Sequence, residues 1–117
     1  MPNAAIKPDI TIDDIDKLDV RVATIITVDE IPNSRKLMKL TLDLGDHERT
    51  IVAGIKQERE DPTEIKGLQC LVVVNLAPRE MAGVVSQGMI FDIGYADGIV
   101  PVLSVPEKPV PNGVRAG

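Results

Sequence analysis

Aromatic side chains are almost missing from this sequence. Phe91 and Tyr95 are its only rings, 2% of 117 residues, and it has no tryptophan. A core must therefore come from Val, Ile, Leu, Met and Ala, within a hydrophobic fraction of 44%. Proteins that hold unstructured single strands of nucleic acid stack bases on aromatic faces, and two rings make a poor platform for that. Cysteine and histidine are as scarce: Cys70 and His47 each stand alone. One thiol forms no intrachain disulfide, and Cys70 lies inside the mostly apolar run Leu68 to Leu76. Nothing has metal-ligand spacing, so no metal and no cofactor are expected. Positive charge is also in deficit. The net charge of −5 argues against nucleic acid held by a bulk positive field, so any such site must be a local basic patch on an acidic body. No apolar run approaches the length of a membrane span, and Met1 to Asp9 lacks the apolar stretch of a signal peptide. A cytoplasmic protein with no membrane partner is the expectation.

Catalytic pairings are absent as well. Nucleophilic catalysis needs a base beside its nucleophile, and nothing brings His47 to Cys70 or Ser86. Asp13-Asp14 and Glu58-Arg59-Glu60-Asp61 are charge runs of the kind that face solvent. Gly83 and Gly88 lack the spacing and the following helix of a phosphate-cradling loop. The chain does not read as an enzyme.

What is present is a series of short strand patterns. Residues 1–10, with two prolines, are expected to form a flexible N-terminus, and residues 11–117 a single domain. Thr11 caps a short helix that carries Asp13 and Asp14 in its first turn, with Ile12, Ile15 and Leu18 on one face, and ends near Leu18. A long strand runs from Asp19 through Val20, Val22, Thr24, Ile26 and Val28. Ile31-Pro32-Asn33-Ser34 breaks it. Leu40, Leu42 and Leu44 alternate with Lys39, Thr41 and Asp43 in a second strand, and the Gly45-Asp46 turn leads to a third from Arg49 to Ala53. Asp61-Pro62 opens one helical turn that Gly67 ends. Cys70 to Val74 is a buried strand, Asn75 to Gly83 a loop, and Ser86 to Ile93 a strand. Ile99 to Val105 is an edge or irregular strand marked by Pro101, and the tail from Pro106 is extended. Three strands, a helical turn and two or three more strands follow the order of an all-β OB-fold, a five-stranded Greek-key barrel, here with a short N-terminal helix and an extended C-terminal segment.

Two segments could carry binding. In the first, Asn33, Ser34, Arg35, Lys36 and Lys39 put three cations and two small polar groups around one turn. Arg and Lys neutralise phosphates, and Asn and Ser bond phosphate, sugar or base edges. The plainer reading is a hairpin connection kept soluble by charge. In the second, Ser86-Gln87-Gly88-Met89 puts hydrogen-bonding groups before a glycine that permits close backbone approach, with Arg79 upstream. Its plainer reading is a loop-to-strand junction.

At these residues the chain resembles the tRNA-binding domain family. That family includes the C-terminal domain of bacterial methionyl-tRNA synthetase, free-standing structure-specific tRNA-binding proteins and the CsaA-type export-associated chaperones. The resemblance rests on Leu18 to Val22, Pro32 to Leu37, Leu42 to Gly45 with Ile51 to Ile55, and Asn75 to Pro78 with Gly83 and Ser86 to Met89. It implies an OB-fold homodimer that recognises structured tRNA through backbone and shape, with an aminoacyl-tRNA synthetase as a possible partner. Asn33, Lys36, Ser86, Gln87 and Met89 are its matched positions. Ser34, Arg35, Lys39 and Arg79 join them for charge or polarity. Ala23 replaces a usual glycine, and Arg35 an acidic residue. Glu80 and Ala82 stand where the family often has Lys and Arg, which removes phosphate contacts. Pro78 to Gly83 and Pro109 to Gly113 look more like the CsaA branch. That likeness implies the alternative of a chaperone that binds peptides or preproteins in an apolar groove with Met81, Met89 and Phe91. As side chains on a strand, Met89 and Phe91 read as core, and their exposure tests the alternative.

Overall fold

A computed structural model describes residues 4–117. Residues 1–3 of the expected flexible segment lie outside the described residues, and 4–10 are exposed without helix or strand. The elements are α1 (Ile12–Asp16), β1 (Val20–Glu30), β2 (Met38–Asp43), β3 (Glu48–Ala53), a 3-10 turn (Pro62–Ile65), β4 (Gln69–Val73), β5 (Arg79–Met81), β6 (Val84–Ser86), β7 (Met89–Ile90) and a second 3-10 turn (Tyr95–Asp97). Five strands form one antiparallel sheet in the order β3-β2-β1-β4-β7. The sheet curls into the expected OB-type barrel.

The long strand β1 makes the curl possible. Its first half, Val20 to Thr24, pairs with β4, and its second half, Thr24 to Glu30, pairs with β2. The register slips between Ile25 and Thr27, where two apolar residues in succession break the alternation. An extra residue of this kind bends a strand and tightens its twist. Inside the barrel Ile25, Leu40, Leu42, Leu44, Ile51, Val72 and Cys70 are fully buried. Burial pushes the Cys70 thiol up to about 12, so it packs as a small apolar group.

Local chemistry accounts for most turns. The Asp61 carboxylate accepts from Thr63 N at 3.0 Å and caps the 3-10 turn, with Pro62 in its first position. Leu44 N donates to His47 O at 2.9 Å and closes the β2-β3 hairpin around Gly45. The C-terminal segment is extended as expected and docks beside β1. Gly113 N donates to Val22 O at 2.7 Å, Val22 N to Val114 O at 2.9 Å, and Ala116 N to Val20 O at 2.8 Å. Asp19 helps to hold it: the guanidinium of Arg21 first, then that of Arg115, keeps its carboxyl below the usual range.

Three expectations are corrected. The expected loop from Asn75 to Gly83 contains β5, which pairs with β6 as a hairpin. Its two-residue turn is Ala82 (φ 51°) and Gly83 (φ 82°), the doubly positive arrangement of a type I′ turn. The expected strand Ser86 to Ile93 is split at Gly88, whose φ of 143° interrupts the extended run. Ile99 to Val105 is reduced to a single bridge, Val102 to Ile93, because Pro101 has no amide to donate. Ala82 pays the left-handed penalty without a side chain suited to it. Ala82→Asn is expected to stabilise the protein by about 1 kcal/mol, raising Tm by roughly 3 °C in a thermal melt.

Candidate functional site

Loop 31–37 is a rigid turn. Ser34 N donates to Ile31 O at 3.1 Å, with Pro32 next and Asn33 at φ 66°. Proline followed by a positive-φ residue is the pattern of a type II turn, and asparagine tolerates that conformation. The Ser34 hydroxyl accepts from Leu37 N at 3.1 Å. Lys56 fastens the loop: its amide donates to Lys36 O at 3.0 Å, and its ammonium to Ser34 O at 3.1 Å. Asn33 and Ser34 thus shape the turn, while Arg35 and Lys36 project from it exposed. Lys39 is half-buried on β2, opposite Asp29 of β1 and Val52 of β3.

The Ser86-Gln87-Gly88 segment closes the barrel. Ser86 is only 3% exposed. Its hydroxyl accepts from Val52 N at 2.9 Å and donates to Gly88 O at 3.2 Å. Gln87 N donates to Thr50 O at 2.8 Å, and the Gln87 side-chain carbonyl accepts from Thr50 N at 3.0 Å. Across this gap between β3 and β7, side chains replace the missing ladder. Arg49 fastens the same seam, donating from Nη1 to Val74 O at 2.7 Å and to Gln87 O at 3.1 Å. Asn75 does comparable work at the other end, accepting from Asp19 N at 2.9 Å and donating to Lys17 O at 2.6 Å. These bonds occupy Ser86 within the fold, whereas Gln87 stays exposed as a residue.

Two adjoining cavities bring the loop and the seam together. The larger, about 640 Å³, has Lys36 on its wall with Met81, Met89, Phe91 and Tyr95. The smaller, about 380 Å³, is lined by Arg79, Ser86 and Met89, and shares Val52 with the first. Lys36, Arg79, Ser86 and Met89 of the expected site residues therefore meet at one surface, and Lys39 shares the outer sheet face with Val52. Asn33, Ser34, Arg35, Lys39 and Gln87 do not line either cavity.

Met89 and Phe91 are not core. They are 47% and 44% exposed, and Tyr95 is 74% exposed. Side chains alternate around the buried Ile90, so Met89 and Phe91 point away from the barrel interior. Glu58 and Asp92, which sequence reasoning left in solvated runs or unmentioned, also line the larger cavity. Burial pushes both carboxyls above their usual range, and Asp92 adds to the effect on Glu58. Nearly buried Arg59 opposes the rise, with Glu58 and Glu64 each 3.5 Å away. No local pattern marked these acids, because only the fold joins residue 58 to residue 92. Among the described residues, no group of three or more His, Cys, Asp or Glu is placed to hold a metal ion, and no helix is long and apolar enough to cross a membrane.

Comparison with known proteins identifies the family. The family model described as "Putative tRNA binding domain" matches residues 20–115. A methionine-tRNA ligase of Cytophaga hutchinsonii is 48% identical over 101 residues, which cover 84% of this chain and 14% of that protein. The chain thus spans about one seventh of that relative's length. Among solved structures, the MetRS-related protein of Pyrococcus horikoshii superposes with a TM-score of 0.86 at 34% identity, covering 95% of this chain and 100% of that one. The chaperone CsaA of Bacillus anthracis superposes with a TM-score of 0.79 at 26% identity, covering 94% and 100%.

Proposed function

This chain belongs to the tRNA-binding domain family, and we propose that it is a non-catalytic module that recognises structured tRNA through backbone and shape. The observation that carries this reading is the rigid turn that projects Arg35 and Lys36 beside the cavities, with Arg79 on the neighbouring hairpin. Because the turn's backbone is already ordered, binding costs mainly the side-chain freedom of the two cations, and a small patch on an acidic body suffices. The acidic remainder of the surface repels RNA that cannot present its phosphates to that patch. In this reading Lys39, Asn33 and Gln87 assist at the same face, Met89 offers apolar contact, and Ser34 and Ser86 hold the binding loops in shape. The ligase relative supports an aminoacyl-tRNA synthetase as partner.

The homodimer belongs to the same proposal. Ile12 and Ile15 of α1 and Leu18 just after it are exposed, as are Val102, Val105 and Val114 of the C-terminal segment. A second copy that covered such apolar surface would add stability to a small barrel. Light scattering at micromolar concentration is expected to give twice the 12.6 kDa mass of one chain.

Titration of bulk tRNA at two salt concentrations tests the binding. With about three phosphate contacts, affinity is expected to fall about 20- to 40-fold when salt rises fourfold. Arg35→Ala and Lys36→Ala should each weaken binding severalfold and flatten that slope. Binding that ignores salt, or no binding at low salt, refutes the proposal. The second reading, a chaperone that holds peptides, is favoured by one observation: the exposure of Met89 and Phe91 on the larger cavity. It takes first place if tRNA fails to bind.

A further inference from the structure

The two rings of this chain are spent in an unusual place. Phe91 and Tyr95 both line the 640 Å³ cavity, and neither is buried. Cavities of this size lie in the range that takes small ligands, roughly 300–1,000 Å³. Three chemistries meet here. Phe91, Tyr95 and the methionines offer flat or adaptable apolar surface. Glu58 and Asp92 supply carboxylates, which when ionised only accept hydrogen bonds. Lys36 adds a cation on a fastened loop.

We propose, resting on the tRNA reading, that this cavity captures one unstacked nucleobase that carries an exocyclic amino group, with its phosphate held by Lys36. Each part of such a nucleotide answers one feature of the wall. The base plane lies against the ring of Phe91 or Tyr95, as in other RNA sites that take splayed bases. The amino group of cytosine, adenine or guanine donates to Asp92 or Glu58, the pairing by which acidic side chains read cytosine N4. Uracil fits less well, because it has no amino group and its single N3–H donor lies between two carbonyl oxygens that a carboxylate repels. An apolar peptide side chain would leave Asp92 unanswered, while Glu58 already pairs with Arg59 at 3.5 Å, and a basic one would meet Lys36. The nucleotide satisfies rings, acids and cation together. The module then reads one flexible or looped-out base in addition to the shape of its tRNA.

The test uses the full chain with oligocytidylate, oligouridylate and bulk tRNA at low salt, followed by fluorescence anisotropy. Wild type is expected to bind the cytidine oligomer at least about fivefold more tightly than the uridine oligomer. Asp92→Asn with Glu58→Gln should erase that preference, and Phe91→Ala should weaken oligocytidylate and tRNA about tenfold. Tyr95→Ala, at a more exposed ring, gives a variant whose folding is not in question, and circular dichroism melts check the others. Equal affinity for the two oligomers overturns the proposal. If Phe91→Ala and Tyr95→Ala both leave salt-dependent tRNA binding unchanged, the base pocket falls while the tRNA reading stands. A cytidine preference erased by the acid variants, without tRNA binding, keeps the pocket and removes the tRNA reading. If a basic or apolar peptide binds in a Phe91-dependent way and the oligomers do not bind, the occupant is a peptide and the proposal is wrong. It is equally wrong if Phe91→Ala turns a wild-type dimer into a 12.6 kDa monomer, since a second copy then fills the cavity.

Discussion

Gly88→Ala is expected to remove about 3 kcal/mol or more of folding stability, lowering Tm by roughly 10 °C. A Cβ at this position would lie 2.6 Å from the Val73 carbonyl oxygen and 3.1 Å from Ile51 Cδ1. The first contact is with backbone and cannot be relieved by a rotamer change. The φ of 143° adds strain for any residue with a side chain. Val73 lies in the β4-β7 ladder and Ile51 in the core, so relief would have to move the barrel seam itself. Gly54 provides the control: its φ is not positive and a Cβ there meets nothing within 4 Å. Gly54→Ala should change stability by no more than about 0.5 kcal/mol. Urea unfolding of the two variants measures the contrast. Equal midpoints would mean that the β4-β7 approach is looser than described.

Ser86→Ala is expected to lower stability by about 2 kcal/mol while leaving tRNA affinity of the folded protein within about twofold. The hydroxyl is the acceptor for Val52 N, and both residues are buried. Alanine leaves that amide without its partner in a largely buried part of the seam. An unmade bond of this kind costs more than a made one contributes. Affinity is measured below the melting transition so that unfolding does not pass for lost binding. A large fall in affinity with unchanged stability would make Ser86 a contact to RNA and not a seam residue. Gln87, exposed but bonded to Thr50, should show both effects in smaller measure.

Much of the frame was legible along the chain. The alternation of Leu40, Leu42 and Leu44, the Gly45 turn, the Asp61-Pro62 cap and the run Cys70 to Val74 each depend on residues close in sequence, and each became the expected element. The basic turn was legible for the same reason, since Pro32, Asn33 and Ser34 settle their own conformation. The hairpin of β5 and β6 was missed because Gly83 alone signalled a turn, while Ala82 rarely takes a positive φ. The site was legible only in part. Arg35 and Lys36 show themselves by charge, but Glu58, Asp92, Phe91 and Tyr95 share no local pattern.

By itself, then, the sequence determined the elements from α1 to β4, the aliphatic core and the position of the cationic turn, because periodicity and turn chemistry act over a few residues. The tertiary structure alone decided that Ser86 and Gln87 close a seam against Val52 and Thr50, more than thirty residues away. It alone decided that the only two rings stay outside the core and face a cavity with two acids. Those outcomes follow from barrel closure: where the curled sheet ran out of strand, side chains had to complete the hydrogen bonding, and Phe91 and Tyr95 were left on the surface past the buried Ile90.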